Sequence, residues 1–527
     1  MYQVGFFLIR NAGSFPERKA LVYGDRVFTY AELNRQVNRL SNALAELGVK
    51  KGARLAFLFN NDPDLVMIWF AAQKLGVTAV PLNPRLRCED IRRILDLSEC
   101  EALIYHESLR EVLLQAKESC HVLRLLICQG SNIPEGEHSL AALLAHNDDS
   151  EAQVSLKGED ESVLLFTSGT TGVPKGVIRS QQVIRDYALM MAIENENCQK
   201  PEVLLTHCPL FHTAGLSLIM KITAVGGTFV LLNRVVPQEI FKQIEKYGVT
   251  QIMMLPPVMY QRLAENQCWR DYNLSSVVEA QCTAGKCSLE LANIMQTLFP
   301  GSRIKLSYGS TETCAPTSTL LSMGQVSDNP ERIKTVGKLN SLVEMRLVDD
   351  NGKDVPDGVP GEAIVRSSMV FSGYLKDPGL TGQTLRDGWV YTGDMLLRDQ
   401  DGYYYLVDRK KDMVKTGGYN VYAQEVEGVL CDHPAIAECA VIGVPDKTFD
   451  EAVAVVIVLN KGTTLPHSEL TAYCRSRMAS FKKPRYVAFV EALPRNNLGK
   501  IQKNVLREQA DALFQNIFND NSESGLL

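Results

Sequence analysis

Residues Thr167 to Gly176 read TSGTTGVPKG and follow the apolar run Val163-Leu164-Leu165-Phe166, whose length and character fit a buried strand. The chain thus leaves a strand into a loop suited to phosphate. Gly169, Gly172 and Gly176 let the backbone turn tightly and approach a ligand, Thr167, Ser168, Thr170 and Thr171 supply hydroxyl donors, and Lys175 supplies a cation. A lone loop of this composition is more often a polar surface turn. Ten residues in one pattern argue instead for a polyphosphate. The loop is not a Walker A motif, because Pro174 follows where that motif continues and no Gly-Lys-Ser/Thr comes after it. An ordinary P-loop nucleotide hydrolase is therefore disfavoured.

At 527 residues the chain is too long for one compact core. A hydrophobic content of 45% with 22% charged residues is ordinary globular composition. The net charge of −6 leaves no basic footprint for nucleic acid, so small-molecule chemistry is expected. The 13 cysteines are scattered and lack a CxxC pair, which points to a reduced, cytoplasmic protein. The apolar stretch from Leu216 to Leu232 is interrupted by Lys221 and two glycines, so no transmembrane segment is expected. His207, Cys208 and His212 lack a fourth ligand at a metal-site spacing and read as ordinary pocket and core residues.

Along the chain, Thr29-Tyr30-Ala31-Glu32 has the form of a capping box, with Leu33, Val37, Leu40 and Leu44 recurring at helical spacing behind it. Strands are expected at Arg54 to Phe59, Val77 to Pro81 and Ala102 to Tyr105. Helices are expected from Asp62-Pro63 to Gly76 and from Asp90 to Leu97. This alternation predicts βαβ units around a largely parallel sheet. It resumes at Thr228 to Leu232, Pro237 to Tyr247 and Gln251 to Leu255, giving a second lobe. From about Ser341 hairpin signals such as Asp349-Asp350-Asn351-Gly352 mark a β-rich subdomain ending near Val407. Beyond it a helix at Ala423 to Cys431, strands at Ala440 to Val444 and Ala452 to Leu459, and a helix at Ser468 to Ala479 form a small α+β unit. The fold class is α/β, with an N-terminal domain of two doubly wound lobes plus the β-rich subdomain over 1–407, and a small α+β domain over 408–527; the resemblance set out below makes that small domain mobile.

TSGTTGVPKG resembles the signature of the adenylate-forming superfamily of acyl-CoA synthetases, peptide-synthetase adenylation domains and luciferases. Tyr308-Gly309-Ser310-Thr311-Glu312, Tyr391-Thr392-Gly393-Asp394, Asp408-Arg409-Lys410-Lys411-Asp412 and Pro494 to Lys500 (PRNNLGK) resemble its later motifs, in the expected order. The likeness spans nearly the whole chain. It implies ATP and Mg²⁺ as cofactors and coenzyme A as co-substrate. It makes Glu312 the metal-binding glutamate with Thr167 as partner, and a hard oxygen shell of this kind suits Mg²⁺. Nucleotide binding extends over Ser168, Gly169, Thr170, Thr171, Gly172, Lys175, Gly309 and Thr311. Tyr308 stacks on adenine opposite Ala284 and Gly285, and Asp394 with Arg409 holds the ribose. Lys500 reaches the α-phosphate and substrate carboxylate. The small domain swings about 408–411, at Lys411, and brings Gly417 and Gly418 to the pantetheine arm. His212 and Leu216 belong to the acyl pocket, with Lys286 where relatives often carry proline. Gln181 stands where many relatives have histidine.

The resemblance also carries a possible role in fatty acid metabolism, a homodimer, and acetylation of Lys500 in its PxxxxGK context. Three readings stay open. The leading one is an AMP-forming carboxylate:CoA ligase acting through an acyl-AMP, on a medium-chain or aryl acid. The second is a free-standing adenylation enzyme loading a carrier protein; the segment from Phe211 to Ser217 lacks the aspartate that amino-acid-activating relatives use. The third, a non-catalytic ligand-binding relative, is opposed by intact Lys175, Glu312, Asp394, Arg409 and Lys500.

Overall fold

The computed structural model describes residues 4–117, 122–167, 174–194, 201–283, 285–416, 419–446, 450–495 and 501–518. The chain divides into two compact units. One comprises Met1–Met345, Ile364–Tyr391 and Asp401–Tyr404; the other comprises Arg346–Ala363, Thr392–Gln400 and Tyr405–Leu527.

Two sheets form the framework of the first unit, each parallel at its centre and antiparallel at an edge. The eight-stranded sheet runs Gly373–Tyr374, Lys175–Ser180, Glu161–Thr167, Thr78–Leu82, Arg54–Leu58, Ala102–His106, Leu125–Gln129, His138–Ser139. The nine-stranded sheet runs Lys338–Leu339, Cys314–Leu321, Arg303–Ser310, Glu279–Thr283, Gln251–Met253, Val203–Thr206, Thr228–Leu231, Lys19–Tyr23, Arg26–Thr29. The α/β expectation holds, with one addition. An N-terminal hairpin, Lys19–Tyr23 with Arg26–Thr29, joins the second sheet by parallel pairing of Leu21 with Phe229. Its apolar run Ala20-Leu21-Val22 is too short to stand out by periodicity, and only Gly24, at φ +60°, marks the turn.

Local signals account for the helices. Thr29 Oγ1 accepts from the Glu32 amide at 3.2 Å while the Glu32 carboxylate accepts from the Thr29 amide at 2.8 Å, closing the capping box ahead of helix Tyr30–Glu46. Helix Pro63–Leu75 starts at Asp62, whose carboxylate accepts from the Asp64 amide, and stops at left-handed Gly76. Every residue of that helix is buried, as its nearly unbroken apolar sequence requires. The interrupted apolar stretch resolves into helix Thr213–Val225 and strand Thr228–Leu231. Lys221 lies inside it, bonded to Gln251 at 2.6 Å and paired with Glu202 at 3.4 Å. No helix among the described residues is long and apolar enough to cross a membrane.

A five-stranded sheet of Val343–Val348, Gly361–Ser367, Trp389–Arg398, Leu385–Arg386 and Tyr404–Arg409 corresponds to the expected β-rich segment. In the second unit, Ile436–Asp446 and Asp450–Leu459 pair as a long antiparallel hairpin in a five-stranded sheet, with helix Ala423–Cys431 packed against the former. The first of these strands is longer than its apolar stretch suggests. Register pairing with the strongly apolar Ala452–Leu459 carries Glu438 into the strand.

Candidate active site

Both glycine-bearing motifs of the first unit are flanked by antiparallel strand pairs. Strand Glu161–Thr167 runs parallel to Thr78–Leu82 and turns back into Lys175–Ser180, with Thr167 paired to Lys175. The expected phosphate-loop residues Ser168, Gly169, Thr170, Thr171 and Gly172 lie outside the described residues. Strand Arg303–Ser310 runs parallel to Glu279–Thr283 and turns back into Cys314–Leu321. Thr167 and Ser310 therefore lie at the carboxyl ends of strands with parallel neighbours, where open α/β sheets hold ligands. Gly309 is dictated by packing: a Cβ there would stand 1.7 Å from the Cys314 carbonyl oxygen.

Glu312 is held from several sides. Its amide donates to Ser310 Oγ at 3.2 Å, and its carbonyl accepts from the Phe371 amide at 2.8 Å. Its carboxylate Oε1 accepts from the Tyr374 hydroxyl at 2.8 Å. Tyr374 comes from the short strand Gly373–Tyr374, which extends the sheet beyond Lys175–Ser180. Lys175 Nζ lies 5.8 Å from the centre of the Tyr374 ring, so this tyrosine bridges the cation of one motif and the carboxylate of the other. Burial, followed by the Glu312 charge, pushes the Tyr374 phenol above its ordinary range. It therefore remains a neutral donor at any physiological pH. Tyr374 was absent from the sequence reading, because a single Gly-Tyr pair gives no periodic signal. The register that brings it to Glu312 is tertiary.

Among the described residues no group of three or more His, Cys, Asp or Glu side chains is placed to hold a metal ion. A cation at Glu312 would thus have one protein carboxylate and would complete its shell from hydroxyls, water and phosphate. That donor set fits Mg²⁺ rather than zinc.

His212 precedes helix Thr213–Val225 and its ring lies 4.6 Å from that of Phe211. Gly215 permits the first turn of this helix to approach Pro209, whose carbonyl oxygen would be 2.4 Å from a Cβ. Leu216 is buried and lines a small cavity with Arg179, Tyr187, Ser217 and Met220 among others. Tyr308 is buried on its strand. Gly285 and Lys286 are exposed just past strand Glu279–Thr283, and Ala284 lies outside the described residues. His207, the other histidine of this region, bonds the Leu255 carbonyl at 2.7 Å, and burial lowers its pKa.

In the second unit, Arg409 Nε stands 2.9 Å from Oδ1 of Asp394, which is 3% exposed. The Asp394 amide donates to Thr392 Oγ1 at 3.1 Å, and Thr392 in turn donates to the Ala363 carbonyl at 2.7 Å. The Arg409 amide donates to Asp408 at 2.7 Å, fixing the start of the short helical turn Lys410–Asp412. The Lys411 carbonyl accepts from Arg507, which also pairs with Asp412 at 2.7 Å. Gly417, Gly418 and Lys500 lie outside the described residues. On either side of the Lys500 segment, Arg495 and Ile501 form an antiparallel bridge.

The family model for AMP-binding enzymes matches residues 8–375, and that for the AMP-binding enzyme C-terminal domain matches residues 425–500. A feruloyl-CoA synthase of Amycolatopsis sp is 34% identical over 507 residues, covering 96% of this chain and 99% of its own. The crystal structure of an anthranilate CoA ligase in complex with anthranoyl-AMP superposes with a TM-score of 0.84 at 27% identity, over 96% of this chain and 97% of that one. The o-succinylbenzoate coenzyme A synthetase of Bacillus subtilis, solved with ATP and magnesium ion, gives 0.82 at 29% identity over 95% and 98%.

Proposed function

The chain belongs to the family of AMP-binding, adenylate-forming enzymes and is an AMP-forming acid–CoA ligase, and on that premise we propose that it activates a medium-chain or aryl carboxylic acid with the residues gathered beside these two strand pairs. The observation that carries this reading is the Lys175–Tyr374–Glu312 constellation, which joins the TSGTTGVPKG and YGSTE motifs through one hydrogen bond and one ring contact.

A carboxylate is a poor electrophile, since its charge repels nucleophiles and its leaving group would be oxide. In the first half-reaction a carboxylate oxygen attacks the α-phosphorus of ATP, the bond to the β-phosphate bridging oxygen breaks, and pyrophosphate leaves. In the second the thiolate of coenzyme A attacks the acyl carbon, the acyl–oxygen bond breaks, and AMP leaves with its electron pair.

Thr167 and Lys175 flank the loop that receives the phosphates, and Lys175 offers its charge to the departing pyrophosphate. Glu312 and Thr167 would hold Mg²⁺, which when bound screens the phosphate charges. Tyr374 keeps the Glu312 carboxylate aimed. Tyr308 forms one wall for adenine with Ala284 and Gly285 opposite, while Asp394 and Arg409 take the ribose hydroxyls. His212 and Leu216 border the acyl group, with Lys286 at its edge. Lys500 steadies the negative oxygens developing at the α-phosphate, and acetylation there would remove that charge. The division into 1–407 and 408–527 with a hinge at 408–411 lets Lys500 and the Gly417-Gly418 segment serve successive half-reactions.

A panel of carboxylic acids with ATP, Mg²⁺ and coenzyme A tests the reading. The expected products are thioester, AMP and pyrophosphate in equal amounts; release of ADP and phosphate would refute it. Tyr374→Phe removes one hydrogen bond to the charged Glu312 and is expected to lower kcat/KM for ATP roughly tenfold, about 1.4 kcal/mol. Its Mg²⁺ titration midpoint should rise. An unchanged Mg²⁺ dependence would exclude Tyr374 as the residue that aims Glu312.

A further inference from the structure

Gly393 takes φ +69° inside strand Trp389–Arg398, a left-handed break in extended backbone that is held from the neighbouring strand. Two adjacent residues of Gly361–Ser367 hold it. Glu362, 8% exposed, accepts from the Gly393 amide on Oε1 at 3.2 Å, and the Ala363 carbonyl accepts from the Thr392 hydroxyl at 2.7 Å. The other carboxylate oxygen, Oε2, accepts from Lys410 Nζ at 2.9 Å, and Lys410 also pairs with Asp350 at 2.8 Å. Burial opposes the Lys410 charge, but the hydrogen bonds to Asp350 and Glu362 outweigh it and raise the ammonium above its usual range.

These contacts close a ring. Arg409 Nε pairs with Asp394 at 2.9 Å, the chain passes from Arg409 to Lys410, Lys410 binds Glu362, Glu362 binds the Gly393 amide, and the chain passes from Gly393 back to Asp394. Asp394, 3% exposed, is thus fixed through its backbone on one side and through its arginine on the other. Both oxygens of a nearly buried carboxylate are committed to the chain neighbours of Asp394 and Arg409. That is the support a site needs to hold a ligand-binding pair in one geometry.

We propose that Glu362 is the positioning residue of the ribose site: through the Gly393 amide it aims the Asp394 carboxylate, and through Lys410 it sets the chain that carries Arg409 opposite. This inference rests on the reading in which Asp394 and Arg409 take the ribose hydroxyls. A carboxylate so held accepts two hydroxyl hydrogen bonds at fixed geometry, and a nucleotide lacking either hydroxyl leaves one of them unmade.

ATP against 2′-deoxy-ATP and 3′-deoxy-ATP decides it, each read as kcat/KM for acid-dependent pyrophosphate release with an acid that supports turnover. The wild-type enzyme is expected to favour ATP roughly tenfold or more, the effect of one hydrogen bond to a charged group. Glu362→Ala should lower kcat/KM for ATP roughly tenfold and leave the deoxynucleotides almost unchanged, so that the preference falls towards one. Glu362→Gln, whose amide oxygen still accepts from Gly393, and Lys410→Arg, which keeps the charge, should retain most of it. Lys410→Met, at a side chain 36% exposed, should also lower the preference and carries the test should Glu362→Ala not fold. An equal loss with all three nucleotides in folded Glu362→Ala overturns the proposal, since a residue that only braces the sheet would act that way. An unchanged preference in both Glu362→Ala and Lys410→Met overturns it too. If the three nucleotides serve the wild type equally while thioester and nucleoside monophosphate still form, the ligase reading stands and the ribose roles of Asp394 and Glu362 fall. If no acid gives AMP from ATP, the ligase reading itself falls.

Discussion

Glu312→Ala is expected to lower acid-dependent pyrophosphate release by roughly 10²- to 10³-fold, the effect of deleting one preorganised electrostatic group. The carboxylate is the acidic side chain at the tip of the Arg303–Ser310 hairpin. It is oriented by Tyr374 at 2.8 Å and anchored through its own amide and carbonyl. Its main-chain bonds survive the substitution, so the fold should too. Thermal unfolding separates loss of a ligand from loss of structure: the variant should melt within a few degrees of the wild type. Near-normal adenylation by the folded variant would remove Glu312 from the metal site.

Lys500→Ala should be as damaging, but to one half-reaction alone. A compact ammonium beside two developing negative oxygens stabilises the transition state of adenylation, so its removal should cost that step roughly 10²- to 10³-fold. An exposed loop lysine without this role would cost almost nothing. Supplied with synthetic acyl-AMP and coenzyme A, the same variant should still make thioester. Lys411→Pro, which restricts φ at the proposed hinge, and Gly418→Leu, which puts a side chain where backbone should pass the pantetheine arm, should do the reverse. Both should form acyl-AMP and stall before thioester. Single-turnover assays of each half-reaction read this out, and equal losses in both halves for all three variants would contradict the alternation.

The residues that were legible in the sequence are those whose role lies in local chain chemistry. The capping box at Thr29 and Glu32, the Asp62-Pro63 helix start and the Gly76 stop recur in the structure as read, because each is decided within one turn of helix. Thr167 and Lys175 were legible as a motif, though not as paired residues at a hairpin base. Tyr374 was missed for a different reason. It meets Glu312 through register between strands distant in sequence, across 62 positions.

The claim at the centre of this account is that the acid passes through an acyl-AMP, and oxygen labelling tests it most directly. With both carboxylate oxygens of the acid replaced by ¹⁸O, one labelled oxygen forms the bond to the α-phosphorus and departs with it when the thiolate attacks the acyl carbon. Mass spectrometry of the products should find AMP carrying one ¹⁸O and pyrophosphate carrying none. Unlabelled AMP, with the label in inorganic phosphate or pyrophosphate, would contradict it.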